Sequence, residues 1–304
     1  MKTKLFLTSV LVILCATFAV AQTTLQLNLQ KGETYYQTSK STSEVAQSVS
    51  GMSMNTTVIM DTKYSYKVVD VTGDNYELEV KFDRLVMDTK TPQISLSVSS
   101  EEPGKDAASS LLSAMKNGSF TVKMNKSGEV SEVQGLEELI NTALEQSTGI
   151  SQAQKQMAKG QISQLLGADQ LKGNIELASA VYPKTKVSKG DSWENITQIN
   201  SGAIVDVKTK YTLVESNGNS NKISGTSTIA SPSGAKPISM EGMSMEYNLS
   251  GTGAVEMTLD AKSGWIIEAA VKQNIKGDIK VLDGMAAGMT IPISTNNTTI
   301  ISNK

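Results

Sequence analysis

The chain has no histidine, one cysteine (Cys15), one arginine (Arg84) and few aromatic residues: two tryptophans, eight tyrosines and four phenylalanines in 304 residues. Each scarcity excludes something. Without histidine the commonest general base and the commonest metal ligand are both missing. That removes Ser-His-Asp and Cys-His nucleophilic sites and imidazole-based zinc or iron sites. One cysteine cannot form an intrachain disulfide or a thiolate cluster. The remaining 27 cations are lysines interspersed among 30 acids, for a net charge of -2. That dispersed balance argues against nucleic acid, which needs clustered cations. Few aromatic rings argue against a sugar-stacking cleft. No glycine-rich loop has the strand-to-helix setting of a phosphate site, and no acidic loop has EF-hand spacing. We therefore expect no cofactor, no metal and no enzymatic activity.

The N-terminus has the form of an export signal. Lys2 and Lys4 precede an apolar run from Leu5 to Val20, and Ala19-Val20-Ala21 offers small residues at a cleavage position before Gln22. The run is short for a membrane span, which takes about 20 apolar residues. Cys15 follows Leu14, where lipidation would want a small residue. Residues 1–21 are thus expected to be a cleaved signal peptide, with cleavage after Ala21. The mature chain would be periplasmic or secreted, not a lipoprotein, without a transmembrane segment and without cysteine.

Strand patterning dominates the rest of the chain. Tyr64, Tyr66 and Val68 alternate with polar residues, a Thr72-Gly73-Asp74-Asn75 turn comes after them, and Tyr76, Leu78, Val80 and Phe82 alternate again. Period two on both sides of a turn predicts a hairpin with one buried face. After Asp83 the phase flips to Leu85 and Met87, as a bulge near Asp83-Arg84 would require. Val205, Val207, Tyr211 and Leu213 repeat the alternation, with Asn217-Gly218 predicting a two-residue hairpin turn. Val255, Met257 and Leu259, then Trp265, Ile267, Ala269 and Val271, continue it. Three segments match in order. Lys31-Gly32-Glu33 matches Lys189-Gly190-Asp191, Tyr64 to Val80 loosely matches Lys208 to Ser224, and Phe120 to Gly128 matches Val255 to Gly264. These point to an internal duplication.

Between the halves, Leu136, Leu139, Ile140, Ala143 and Leu144 have helical spacing. Met157, Ile162, Leu165 and Leu166 predict a second helical stripe, and Leu171, Ile175 and Ala178 a third. A shorter helix is predicted at Ala107 to Lys116. The expected class is α+β, mostly β. A long curved antiparallel sheet, an open half-barrel, would be covered on one face by a central helical block. The division is 22–134 for the first β half, 135–181 for the helical block and 182–304 for the second β half, with 22–304 folding as one domain. The Thr- and Ser-rich strands near the two ends of that domain suit a solvated outer face.

The segment Tyr182-Pro183-Lys184-Thr185-Lys186-Val187-Ser188-Lys189-Gly190-Asp191-Ser192-Trp193 resembles an element of an uncharacterised family of exported Gram-negative proteins. The Leu25 to Tyr35 opening, Leu-x-Leu-x-Leu-x-Lys-Gly-Glu-x-Tyr, is similar to that family's start. At fold level the pattern also resembles lipoprotein carriers of the LolA/LolB kind, whose half-barrels hold lipid. That resemblance implies binding of a hydrophobic or lipid-like ligand in the concave face. The residues expected to line it are Tyr64, Tyr66, Tyr76, Leu78, Phe82, Arg84, Trp193, Tyr211, Leu213 and Trp265. An ordinary packed core is the competing expectation for the apolar nine, and a surface ion pair with Asp83, Asp88 or a cross-strand acid for Arg84. The competing function is a structural or protein-interaction module of the cell envelope.

Other constellations carry less. Met52-Ser53-Met54 and Met243-Ser244-Met245 could offer thioethers to copper(I), but methionines more often fill irregular apolar gaps or line adaptable lipid-binding surfaces. Ser113 to Lys116 and Ser233 to Lys236 have the spacing of a Ser-Lys dyad without its companion motifs. Glu101-Glu102 and Glu137-Glu138 read as solvated.

Overall fold

The computed structural model describes residues 22–49, 52–147, 150–179, 181–200, 203–240, 243–284 and 286–304; the side chains of 49, 164, 165, 200, 239 and 240 fall outside the description. The proposed signal peptide lies outside the described residues. Among the described residues, no helix is long and apolar enough to cross a membrane.

Among the described residues, thirteen strands form one antiparallel sheet. They are β1 (Thr34–Val49), β2 (Met52–Thr72), β3 (Asn75–Lys90), β4 (Ser95–Ser99), β5 (Phe120–Asn125), β6 (Val130–Gln134), β7 (Ser192–Asn200), β8 (Ile204–Ser216), β9 (Ser220–Ala230), β10 (Ile238–Met240), β11 (Met243–Asp260), β12 (Ile266–Val281) and β13 (Thr290–Ser302). The helices are α1 (Ala107–Met115), α2 (Leu136–Gln146), α3 (Gln152–Leu166) and α4 (Ala168–Ser179). Sheet order is β6-β5-β3-β2-β1-β13-β12-β11-β9-β8-β7, with β4 paired to β3 and β10 to β11. The sheet is open, with β6 and β7 as its two ends.

The order itself repeats. Reading outward from β1 gives β1-β2-β3-β5-β6, and from β7 gives β7-β8-β9-β11-β12. The backbone bonds repeat too. Gly32 N donates to Val68 O, and Val68 N to Glu33 O; Gly190 N donates to Leu213 O, and Leu213 N to Asp191 O. A register shift comes directly after each anchor, at Val68/Asp70 and at Leu213/Glu215. Gly32 and Gly190 sit at φ 89° and 94°, the left-handed region that a side chain disfavours, so the two Lys-Gly-acid turns need their glycines. β13 joins the two halves by pairing with β12 on one side and β1 on the other. At the opposite junction α4 packs on both β6 and β7, so a helix stands where a strand would otherwise close the sheet. It is tied there by Glu176, which accepts from Val130 N at 2.8 Å, and by Ser179 Oγ, which donates to Gly128 O at 2.7 Å.

The N-terminal segment seals one end of the strands, the proximal end. Leu25, Leu27 and Leu29 are buried while the residues between them are exposed. Leu27 N donates to Lys126 O and Asn28 N to Ser263 O, so the turn after β5 and the turn after β11 grip the segment from both halves. The buried Tyr76 hydroxyl completes the seal by donating to Leu27 O at 2.9 Å. At the distal end β1, β3, β10 and β12 finish and β2, β4, β11 and β13 begin.

Most elements fall where the alternation requires. The bulge lies at Asp83, where Lys63 faces Arg84 and Tyr64 faces Phe82. α1 begins at Asp106, whose side chain accepts from Ser109 N, and α3 carries a Ser151/Gln154 capping box. Three expectations need correction. Met157 is 68% exposed, because the buried stripe of α3 runs through Ala158, Ile162 and Leu166 instead. The β8–β9 connection has three residues, Asn217 to Asn219, with the amides of Asn219 and Ser220 bonded to the Asn217 side chain. The serines and threonines of β1 and β13 are not confined to the outer face, because the strand register places Ser43, Thr295 and Thr299 on the inner one. The side chain of Leu165 lies outside the description.

Candidate functional site

Strand register sorts every strand residue onto one of two faces. Apart from the bulges, the inner face takes the phase of Leu259, Ile301, Tyr66 and Leu213. Lysines, aspartates, glutamates and Arg84 within the strands take the opposite phase. Among the described strand residues the inner face therefore carries no fixed charge apart from the bulges, and it divides into three zones along the strands.

The proximal zone is a packed aromatic core. Tyr66, Tyr76, Leu78, Phe82, Tyr211, Leu213 and Trp265 are buried in one cluster, with Tyr64 and Trp193 packed against it. Rings touch in series: Tyr35–Trp265 at 5.3 Å, Trp265–Tyr66 at 5.2 Å, Tyr64–Phe82 at 5.3 Å and Phe82–Phe120 at 5.2 Å. Trp193 stacks on Tyr211 at 5.9 Å. Gly225 makes room for that pair, since a Cβ there would lie 2.9 Å from Tyr211 Cδ1. The polar handles are satisfied locally. Trp265 Nε1 donates to Tyr36 O and Trp193 Nε1 to Val181 O, both at 2.8 Å. Burial pushes the Tyr64 and Tyr211 hydroxyls up to about 12 and raises Tyr66 and Tyr182 further, so these phenols stay neutral. Leu111, Leu112, Met115, Leu139 and Ile140 belong to the same cluster and fill the space the helices cover. Nine of the ten residues expected to line a ligand site thus belong to, or pack against, a filled core. Arg84, the tenth, faces outward in an ion pair with Asp61 at 2.8 Å, the cross-strand acid of the plainer reading.

The second zone is polar. One row runs across the sheet in register: Ser43 on β1, Asn297 on β13, Gln273 on β12, Gly253 on β11, Ser227 on β9, Thr209 on β8 and Asn195 on β7. Val58 of β2 stands opposite Ser43 and continues the row as an apolar residue. Thr209 Oγ1 and Ser227 Oγ share a hydrogen bond of 2.8 Å. Asn297 Oδ1 is the one buried side-chain oxygen or nitrogen without a hydrogen-bond partner among the described residues.

The third, distal zone is apolar again but incompletely covered. It presents Val45 of β1, Ile291 and Ile293 of β13, Ile275 of β12 and Tyr247 and Leu249 of β11, all half-buried. Ile279 and Val281 are buried beside them. A small cluster of Ile199, Val205, Val207 and Ile229, with Leu177 of α4, adjoins Leu249 and Ile275. The helices pack chiefly elsewhere: α1 on β4, α2 on β5 and α4 on β6 and β7. Both methionine pairs end up at the distal rim, with Met52 and Met54 exposed and Met243 and Met245 half-buried; the glycine before each pair lies outside the described residues. The pairs sit on β2 and β11, with β1, β13 and β12 between them in the sheet. Among the described residues, no cluster of acidic, cysteine or histidine side chains could hold a metal ion.

Sequence patterning missed the distal zone because its strands are rich in Thr, Ser and Asn. The signal was present in β13. Ile291, Ile293 and Ile301 share one phase, which places Thr295, Asn297 and Thr299 on the same inner face.

The fold defines a class: a β-rich protein whose long antiparallel sheet stays open around helices set at one end and one seam. Within that class, the model of a family of unknown function, DUF6263, matches residues 73–266, well over half of the chain. The chain belongs to that family. The matched segment runs from the β2–β3 turn to the first residue of β12, so it takes in much of the packed core and α1–α4 but not β1 or β13. No curated protein matches the chain. Among solved structures, an outer membrane channel from Pseudomonas putida F1 is similar over 91% of this chain and 97% of that one, at 9% identity. Its TM-score of 0.20 is too low to carry any argument.

Proposed function

We propose that the chain is an exported, non-enzymatic protein that binds a hydrophobic or lipid-like ligand on the distal inner face of its sheet. The observation that carries this reading is the contrast between the two ends of one charge-free surface. The proximal end is filled by helices and the N-terminal segment, whereas the distal end presents Val45, Leu249, Ile275, Ile291 and Ile293 only half-buried. Partly exposed apolar side chains grouped on one face are the kind of surface that binds another molecule. Flexible methionines at its rim suit a ligand of variable shape. The ligand surface is therefore not the aromatic core that the carrier resemblance suggests, although the face of the sheet is the same.

The test is native mass spectrometry of the protein expressed with its own N-terminal segment in a Gram-negative host. Bound mass that disappears on solvent extraction is expected, together with uptake of added lauryl-chain amphiphiles. Ile293→Asp, which sets a charge among those residues, should lower uptake at least about tenfold with the far-UV circular dichroism unchanged. A bare mass and no uptake of any lipid would overturn the reading in favour of an envelope interaction module.

A further inference from the structure

The two edges of the sheet are finished differently. β6 has five residues, and its Val130 N–H is taken by the Glu176 carboxylate. β7 has nine residues and carries no lysine, proline or bulge, the usual devices that keep a sheet edge from pairing. The ladder with β8 fixes which of its backbone groups are used. Leu213 N donates to Asp191 O and Leu213 O accepts from Gly190 N, so Leu213 turns its backbone groups toward the β7 side. Tyr211, Thr209 and Val207 follow at period two and face Trp193, Asn195 and Thr197. The backbone N–H and C=O groups of Glu194, Ile196 and Gln198 therefore point away from β8. Among the described residues these groups have no hydrogen-bond partner.

There is space beside that edge. An open cavity of about 490 Å³ is lined by Glu194, Asn195, Ile196 and Thr197 in succession, so it follows the edge of β7 and not one of its faces. The turn before β6 contributes Ser127 and Glu129 to the same cavity, and α4 contributes Glu176. α4 lies on the inner side of β7, where Leu177 packs against the cluster of Ile199, Val205 and Val207, and leaves the side chain of Ile196 67% exposed. The lining is anionic: Glu129, Glu176 and Glu194 stand against one lysine, Lys184, with Lys208 of β8 paired to Glu194 at 3.0 Å.

Strand direction adds a constraint. The path from β6 to β7 has eleven strands, each antiparallel to the next, so β6 and β7 run parallel to each other. A strand laid antiparallel along β7 is antiparallel to β6 as well, and it continues the alternation across the seam.

We infer that β7 is a docking edge for an extended, cationic segment of a partner protein, which adds to the sheet as an antiparallel strand at the seam. The backbone of that segment bonds to the open groups of Glu194, Ile196 and Gln198. Its lysine or arginine side chains meet Glu129 and Glu176. A second copy of this chain is the poorer occupant, because its own β7 brings Glu194 and no cation to these carboxylates. The inference does not depend on the ligand proposed for the distal face.

The test uses the purified protein and three capped nine-residue peptides that alternate threonine and valine. One carries lysine in place of two threonines, one carries glutamate there, and one is the lysine peptide with alternate backbone amides methylated. Fluorescence anisotropy measures binding, and hydrogen exchange followed by NMR reads the β7 amides. The lysine peptide should bind at least about tenfold tighter than the other two. It should also slow exchange at Glu194, Ile196 and Gln198. Ile196→Pro removes an N–H that points away from β8, so it should abolish binding with the far-UV circular dichroism unchanged. Equal binding of the glutamate peptide would overturn the cationic partner. No binding of the lysine peptide, or binding that leaves exchange on β7 unchanged, would overturn the docking edge. A dimer with those amides protected in the absence of peptide would overturn it in favour of a second copy. The peptide series uses the unaltered protein, so it decides the inference even if Ile196→Pro fails to fold.

Discussion

The two ends of this sheet are built from the same strands and differ in what covers them. At the proximal end, Tyr66, Val68, Tyr76, Leu78 and Phe82 are at most 2% exposed, closed over by α1, α2, α3 and the Leu25-Leu27-Leu29 segment. At the distal end, Val45, Leu249, Ile275, Ile291 and Ile293, of the same inner phase, stay half-buried. Strand length explains the difference. β2 and β11 run for 21 and 18 residues, longer than the helices and the N-terminal segment cover. The proximal end has the properties of a folding core, and the distal end is the less covered part of the same inner face.

The comparison is broken most sharply by deletion of side-chain volume. Phe82→Ala should cost about 3–5 kcal/mol, because Phe82 contacts Tyr64 and Phe120 and leaves a cavity the core cannot collapse into. Val45→Ala, on the distal inner face, should cost about 1 kcal/mol or less, since the site is already open to water. Denaturant unfolding of the two variants measures the gap. Equal losses would mean that the distal face is core.

The seam sharpens the comparison next. Burial raises the Glu176 carboxyl, opposed by the hydrogen bond from Val130 N. A carboxyl whose folded value lies above its unfolded one binds more protons when folded, so stability falls as pH rises through that interval. The penalty is absent below the unfolded value and complete above the folded one. Glu176→Gln keeps an acceptor for Val130 N but removes the charge. It should leave stability unchanged or slightly improved at pH 7, and the wild-type shortfall should vanish as the pH is lowered through the carboxylate range. Unfolding curves of both proteins across that range test this; a wild type that gains less than the variant on acidification would contradict it.

The smallest effect belongs to the outer face. Arg84 is paired with Asp61 at 2.8 Å, and its side chain is 49% exposed. Arg84→Ala should change stability by less than about 1 kcal/mol and should not alter lipid uptake. A marked loss of uptake would move the binding surface to the outside of the sheet.

Much of the architecture is legible in the residues. Period-two runs at Tyr64–Phe82 and Val205–Leu213 predict the hairpins, the phase flip after Asp83 predicts the bulge, and the Leu136–Leu144 stripe predicts α2. The two Lys-Gly-acid turns mark equivalent anchor points because glycine is needed there at positive φ. Coverage is not legible. Alternation says which face is apolar, not how far along a strand the helices reach, so it cannot separate an aromatic site from the aromatic core that is present. Exposure of Met157 escapes for a related reason: α3 is amphipathic only weakly, and its buried stripe is chosen by its packing against α1 and α2. The polar row escapes because its members come from seven strands, and only register brings them together.

The central claim is that an apolar ligand lies on the distal inner face and not among the proximal aromatics. The most direct test is photo-crosslinking with a lauryl-chain probe carrying a diazirine at its tail, with mapping of the modified peptides. The account predicts modification within Met52–Val58, Met243–Leu249 and Ile291–Thr295, displaced by an excess of unlabelled monoacylglycerol. Displaceable modification on α1, α2 or the Tyr76–Phe82 segment would contradict it.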